Sequence, residues 1–310
     1  LPSSLVFDSN FIQAKTKPVN AAAEESRAAE NFVTLASNTK FMKPVFISLA
    51  FFTLLVFTQC NRDPYSEANR SYKKKVKAYA RTLRQLPRDS LFTGAQWVGT
   101  TNFNMRKPNF VIIHHTAQAS CAQTLNTFTN PETGVSAHYV ICKDGTLHHM
   151  LNDYLRAWHG GVARWGANTD INSSSIGIEI DNNGFEPFTG EQISSLINLL
   201  GALKRTHGIP AANFIGHSDI APTRKVDPNV HFPWKQLSDS GFGLWWNDTT
   251  GVEVPQTFNN IQALRIIGYD VRDSSAAIGA FKRKYLQADS SRVLNEADRK
   301  VLFTLYPKYL

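Results

Sequence analysis

The segment FIGHSDIAPTRKVDPNVHFPW, from Phe214 to Trp234, constrains this chain more than any other stretch. It sets His217, Lys225 and Asp227 close together on a loop rich in proline and hydrogen-bonding side chains. A histidine and an aspartate are ligands that zinc accepts, and a catalytic zinc usually takes three protein ligands and a water. One ligand is missing from the segment and has to come from elsewhere. The natural donor is the end of the apolar run NFVIIHHTA, where His114 and His115 stand side by side. Adjacent side chains of a strand point to opposite faces, so only one of the two can reach a metal. Spacing does not say which. His138, His148, His149, His159, His207 and His231 are further candidates, and most histidines are structural.

Composition narrows the class but not the activity. The chain has 310 residues, of which 42% are hydrophobic and 19% charged, as expected of globular protein of about two domains. The formal charge of +8 favours acidic partners. Nucleic acid, an anionic membrane face and wall polymer all qualify, and only net charge speaks for nucleic acid, so no nucleic-acid partner is expected. The three cysteines, Cys60, Cys121 and Cys142, show no zinc-knuckle spacing.

In chain order, residues 1–41 read as a non-native or disordered extension, with Met42 as the true start. Residues 42–60, MKPVFISLAFFTLLVFTQC, have a lysine after the methionine and an apolar run of the length of a signal-peptide core. Cys60 directly after that run resembles a lipoprotein cleavage site, although Gln59 departs from the small residue usual there. Attachment to a membrane through a lipidated Cys60, at the periplasmic face of an outer membrane, is the expectation. Residues 61–95 form a basic linker in which Tyr72 to Gln85 suits an amphipathic helix.

From residue 96 to 248 the pattern is that of an α/β domain. Phe110 to His114 is a short apolar strand, and His138 to Cys142 with Thr146 to Met150 reads as a hairpin about Lys143-Asp144-Gly145. Ser175 to Asp181 alternates, with Ile176, Ile178 and Ile180 on one face and Glu179 on the other. Thr189 with Gln192 three positions on opens a helix, and Asn213 to Gly216 is a last strand that delivers His217. Residues 252–310 hold three short helices, too few to be robust alone. The expected fold class is therefore α/β, a mixed β-sheet flanked by helices, plus a small three-helix C-terminal domain.

Two further residues fit hydrolysis at a zinc. Glu179, pointing away from the isoleucine core, suits a base that takes a proton from water. Lys225 suits a cation that holds charge developing on an attacked carbonyl. The residues alone reach a zinc-hydrolase ligand set and stop there.

Residues from about Asn109 to Trp246 resemble the type 2 N-acetylmuramoyl-L-alanine amidase family, which is related to peptidoglycan recognition proteins. The motifs VIIHHTA, SAHYVICKDGTLHHM, RAWHGG, NSSSIGIEIDNNG and GHSDIAPTRKVDPNVHFPW match in family order. The resemblance implies that His114, rather than His115, joins His217 and Asp227 in binding one Zn2+, with Glu179 and Lys225 as catalytic residues. It also implies peptidoglycan and muropeptides as partners, and cleavage of the amide between N-acetylmuramic acid and L-alanine. Trp158 and His159 resemble the family's groove wall, and Tyr139 is a candidate for lining the site. Asn229 departs from the glycine usual after the Asp-Pro pair. The C-terminal stretch is similar to three-helix peptidoglycan-binding domains, which leaves a non-catalytic wall-binding lipoprotein as the alternative. Cys121 and Cys142 are candidates for a disulfide if the chain is exported.

Overall fold

The computed structural model describes residues 63–84, 98–287 and 291–310. The expected export segment 42–60 with Cys60, the extension 1–41, and much of the linker before residue 98 lie outside the described residues. The chain divides into two units, residues 1–84 and 85–310. In the first, helix α1 (Ser66–Leu83) buries no residue; Tyr72, Val76, Tyr79 and Leu83 are exposed along it. Among the described residues no helix is long and apolar enough to cross a membrane.

The second unit is built on a five-stranded sheet in the order β3-β2-β4-β1-β5. Its strands are β1 (Phe110–His115), β2 (Tyr139–Ile141), β3 (Leu147–His149), β4 (Ser175–Ile180) and β5 (Phe214–Gly216). β1 pairs in parallel with β4 and β5, β2 in parallel with β4, and β3 closes one edge antiparallel to β2. The helices of this unit are α2 (Cys121–Thr129), α3 (Ile171–Ser174), α4 (Gly190–His207), α5 (His217–Ile220), α6 (Trp234–Asp239), α7 (Asn260–Ile267), α8 (Ser274–Tyr285) and α9 (Glu296–Leu305). This is the expected mixed sheet flanked by helices, with the C-terminal helices present.

Local sequence explains the main elements. β1 and β4 are β-branched runs buried on both faces, as suits parallel strands covered by helices. The long helix α4 starts at the expected capping box, with the Thr189 hydroxyl on the Gln192 amide and the Gln192 side chain returning to Thr189. It stops at Gly208, whose φ of 65° is one that glycine adopts without strain. Asn295 and Asp298 cap α9 in the same reciprocal way. A disulfide between Cys121 and Cys142 joins the start of α2 to the end of β2.

Alternation along the strands divides the core in two. Val111, Ile113, Ile176, Ile178 and Ile180 face α4 and α6, packing with Leu196, Leu200, Phe232 and Trp234. Ile112 and Ile215, on the other face, pack into a second cluster with Trp165, Ile171, Ile220 and the C-terminal helices, including Leu264, Phe281 and Leu302. Residues from both the 96–248 and 252–310 segments therefore build one apolar cluster. At the carboxyl ends of β1, β4 and β5 that face carries the polar side chains His114, Glu179 and His217.

Candidate metal centre

Three parallel strands deliver the site. In open α/β sheets the carboxyl ends of parallel strands are the usual place for ligands. His114 is the fifth residue of β1, and Glu179 lies directly across from it on β4, so the two side chains share one face. His217 follows the last residue of β5 and opens α5. Asp227 returns to the same point because the Ser218 amide donates to its carbonyl at 2.7 Å.

The donor atoms meet closely. His114 Nδ1 lies 2.9 Å from His217 Nδ1 and 3.1 Å from Asp227 Oδ2, and His217 Nδ1 lies 3.0 Å from that oxygen. All three residues are buried. His115, the other half of the pair, faces away and accepts the Asn229 amide on its Nδ1 at 3.1 Å. The strand register thus separates the two histidines as their adjacency requires.

The protonation state of both ligand rings follows from their outer partners. The Ser175 hydroxyl is 2.6 Å from the Ile171 carbonyl, which can only accept, so Ser175 donates there and its oxygen is left to accept. His159 Nε2, 3.1 Å away, then carries the hydrogen that Ser175 accepts, which makes His159 Nδ1 the acceptor toward His114 Nε2 at 3.0 Å. His114 therefore holds its proton on Nε2 and presents a bare Nδ1 to the cluster. His217 Nε2 donates to the Gly160 carbonyl at 3.2 Å, which bares its Nδ1 likewise. Two nitrogen lone pairs and a carboxylate oxygen consequently face one another at hydrogen-bond distance with no hydrogen between them.

That arrangement calls for a cation. The edges of 2.9–3.1 Å are slightly shorter than the roughly 3.3 Å between neighbouring ligands of a tetrahedral zinc with bonds of about 2.0–2.1 Å. A second observation agrees: Glu179 Oε2 is buried without a hydrogen-bond partner, while Oε1 is 3.9 Å from His114 Nδ1. The residues fit a metal ion in donor type, number, tautomer and convergence.

Electrostatics follow the burial. Burial pushes the Glu179 carboxyl up to about 8, helped by the nearby Asp227 charge and opposed by Lys225. Burial lowers His114 to about 4, and the His217 ring adds to this while Asp227 opposes it. Lys225, half-buried on the loop between the two ligands, acts on both Glu179 and His114.

The remaining sequence candidates separate in space. Trp158, next in the chain to His159, is 60% exposed, with the Arg156 guanidinium 5.5 Å over its ring. His159, expected in the groove wall, stands behind His114 and acts on it through the hydrogen bond just described. Tyr139 is not brought to the centre. It pairs across from Ile178, on the opposite face from Glu179, and its hydroxyl donates to Asp153 at 2.8 Å. Alternation on a three-residue strand was too short to orient it beforehand. Asn229 uses the side chain that a glycine lacks: its Nδ2 donates to Asn182 Oδ1 and to the Glu186 carbonyl, both at 3.0 Å. It thereby ties the ligand loop to the loop after β4. Sequence reasoning missed Ser175 and the orienting role of His159, because nothing in their spacing marks them.

A mixed sheet that gathers two histidines, an aspartate and a glutamate with one unpartnered carboxylate oxygen at its carboxyl ends defines an α/β domain with a candidate metal site. Residues 104–230 match the family described as N-acetylmuramoyl-L-alanine amidase. It is 34% identical over 151 residues to N-acetylmuramoyl-L-alanine amidase AmiD of Escherichia coli, covering 44% of this chain and 54% of that protein. It is 36% identical over 107 residues to 1,6-anhydro-N-acetylmuramyl-L-alanine amidase AmpD of Haemophilus influenzae, covering 34% and 58%. The chain thus spans a little over half the length of these curated relatives. Among solved structures, E. coli AmiD in complex with the substrate anhydro-N-acetylmuramic acid-L-Ala-D-γ-Glu-L-Lys superposes with a TM-score of 0.60 at 26% identity, covering 72% of this chain and 97% of that one. AmpDh3 of Pseudomonas aeruginosa in complex with anhydromuramic pentapeptide gives 0.61 at 26%, covering 73% and 99%.

Proposed function

We propose that this chain is a zinc-dependent hydrolase that cleaves the amide between the lactyl group of N-acetylmuramic acid and the L-alanine of the stem peptide. The observation that carries this reading is the convergence of three bare donor atoms beside Glu179, whose Oε2 has no hydrogen-bond partner. The family match and the muropeptide complexes of AmiD and AmpDh3 support the substrate class. His114, His217 and Asp227 would hold the ion, which when bound supplies a Lewis acid for the amide carbonyl and makes water a nucleophile near neutral pH.

The chain's own residues do the rest. Glu179 takes a proton from the attacking water and passes it to the leaving amine, a task best served by a pKa near the working pH. Burial raises the affinity of the Glu179 carboxylate for a proton above that of a free carboxylate, which suits it to accept one. Lys225 offers its charge to the oxygen on which negative charge develops. His159 and the Gly160 carbonyl keep the two imidazoles in the tautomer and orientation that binding requires. Trp158 offers an exposed aromatic face to the sugar or peptide, and the helices of residues 252–310 add contact with wall polymer.

Export and lipid attachment are part of the proposal and rest on the sequence of residues 42–60. Labelled fatty acid incorporated into the wild type but not into Cys60→Ala would support them. Mass spectrometry of muropeptides incubated with the purified protein, with and without a chelator, tests the reaction. Free stem peptides beginning at L-alanine, lost on chelation and regained with zinc, are expected. Muropeptides that remain intact in the presence of zinc would overturn the enzymatic reading.

A further inference from the structure

The C-terminal helices reach past the apolar cluster into the turn that carries a metal ligand. Asp219, two residues after His217 on α5, is fully buried. Its Oδ2 accepts from the Gly216 amide at 2.8 Å, fixing the backbone immediately before the ligand. The other contacts to this carboxylate come from the C-terminal segment. Tyr269, after α7, donates its hydroxyl to Oδ1 at 2.8 Å, and Lys284 of α8 places Nζ 3.0 Å from Oδ2. Both residues are only 2% exposed.

Lys284 also touches the far side of the ligand segment. Its Nζ lies 4.3 Å from the Trp234 ring centre, a cation–π distance. The Trp234 ring and Pro228, the residue after ligand Asp227, both press on Gly216, where an added Cβ would lie 3.1 Å and 3.0 Å from them. One buried ammonium therefore braces the segment from Gly216 to Trp234 that contains two of the three ligands. A helical module present only to bind polymer, or only to fill the core, has no need of a buried cation there. An apolar residue in its place would avoid the cost of desolvating a charge.

We propose that Lys284 and Tyr269 are positioning residues for the metal centre, acting through Asp219 on the His217 turn, so that the C-terminal helices form part of the metal site's scaffold. This rests on the metal-site reading above. Loss of outer partners of this kind typically weakens metal binding about 10–100-fold.

The test uses the full chain, stripped of metal and titrated with Zn2+ against a chromophoric chelator and with Co2+ by its visible absorption. Lys284→Met and Tyr269→Phe are compared with Leu302→Ala, which damages the same apolar cluster on α9 without touching Asp219. Melting of each metal-free form is recorded alongside. Lys284→Met is expected to weaken both metals about 10–100-fold and to shift the Co2+ spectrum. Tyr269→Phe should act in the same direction by less, and Leu302→Ala should lower the melting temperature while leaving affinity and spectrum unchanged. Wild-type affinity and spectrum in both Lys284→Met and Tyr269→Phe would overturn the inference, as would an equal loss in Leu302→Ala. If Lys284→Met does not fold, Tyr269→Phe against Leu302→Ala decides by the same criteria. A wild type that binds neither ion would overturn the metal-site reading itself, and the inference with it.

Discussion

Adding one methyl group at Gly177 tests how the His114 ring is held. Gly177 lies on β4 two residues before Glu179, under the His159 imidazole. A Cβ built there would lie 2.4 Å from His159 Cγ and 2.7 Å from Cδ2 and Nδ1. Ordinary contacts between carbon atoms begin at about 3.5 Å, so the ring would have to retreat by roughly 1 Å. The strand is in no position to give way instead. The Gly177 amide donates to His138 Nδ1 and its carbonyl accepts from the His138 amide, both at 3.0 Å, while Ile112 flanks it on β1. His159 is pinned at both ring nitrogens, so a 1 Å shift breaks or weakens its bonds to His114 and Ser175.

Gly177→Ala should therefore lose about 1–3 kcal/mol of stability to overpacking, which a domain stable by about 5–15 kcal/mol survives. Metal affinity should fall about 10–100-fold because His114 loses the partner that fixes its tautomer. Thermal melting and chelator competition read the two quantities separately. The double variant Gly177→Ala/His159→Ala removes the obstruction. It should regain stability relative to Gly177→Ala but not affinity, a clear departure from additivity. A Gly177→Ala protein that melts and binds metal like the wild type would refute the reasoning.

The remaining predictions concern separate parts of the molecule. Glu179→Gln should lower kcat about 10²–10⁴-fold while Zn2+ stays bound, read by turnover of muropeptides and by metal analysis of the same sample. Leu196→Ala, on the α4 side of the sheet, should cost about 2–5 kcal/mol in denaturant unfolding with metal affinity unchanged. His138 is fully buried, accepts the Gly177 amide on Nδ1 and donates from Nε2 to the Leu155 carbonyl at 3.0 Å, with the Arg106 guanidinium beside it. Burial holds it neutral down to about 4, whereas in the unfolded chain it takes up a proton near 6.5. The unfolded state thus binds more protons between those values, and stability should fall as pH drops through that window, by up to about 3 kcal/mol. His138→Asn should flatten that part of the curve of melting temperature against pH; an unchanged slope would count against it.

The sequence made some of these features legible and hid others, for reasons visible in the structure. Alternation over Ser175 to Ile180 placed Glu179 opposite three isoleucines, and the strand does turn it toward the ligands. The capping residues of α4 located its first turn, because those side chains bond to backbone three positions away. Interactions that span the fold carry no such local mark. His159 meets His114 across 45 positions, and Lys284 meets Asp219 across 65, so neither spacing nor periodicity could announce them. The choice between His114 and His115 needed the family resemblance, since residues alone say only that the two diverge. Tyr139 eluded the sequence because a strand of three residues has too little alternation to declare its faces.

The central place of β1 sets an order of assembly. It is the first strand among the described residues, yet its two edges are filled by strands that begin at residues 175 and 214. Long-range pairing of this kind is slow, because distant segments must find each other before any contact rewards the search. Until β5 arrives, the apolar edge of β1 stays open to wrong partners, including other copies of the same chain. The nascent chain at that stage holds a single one of the three ligands, since His217 and Asp227 follow β5. On the proposed zinc reading, the ion would therefore be captured only after β5 and the loop behind it are in place, and the compartment where that happens would have to supply it.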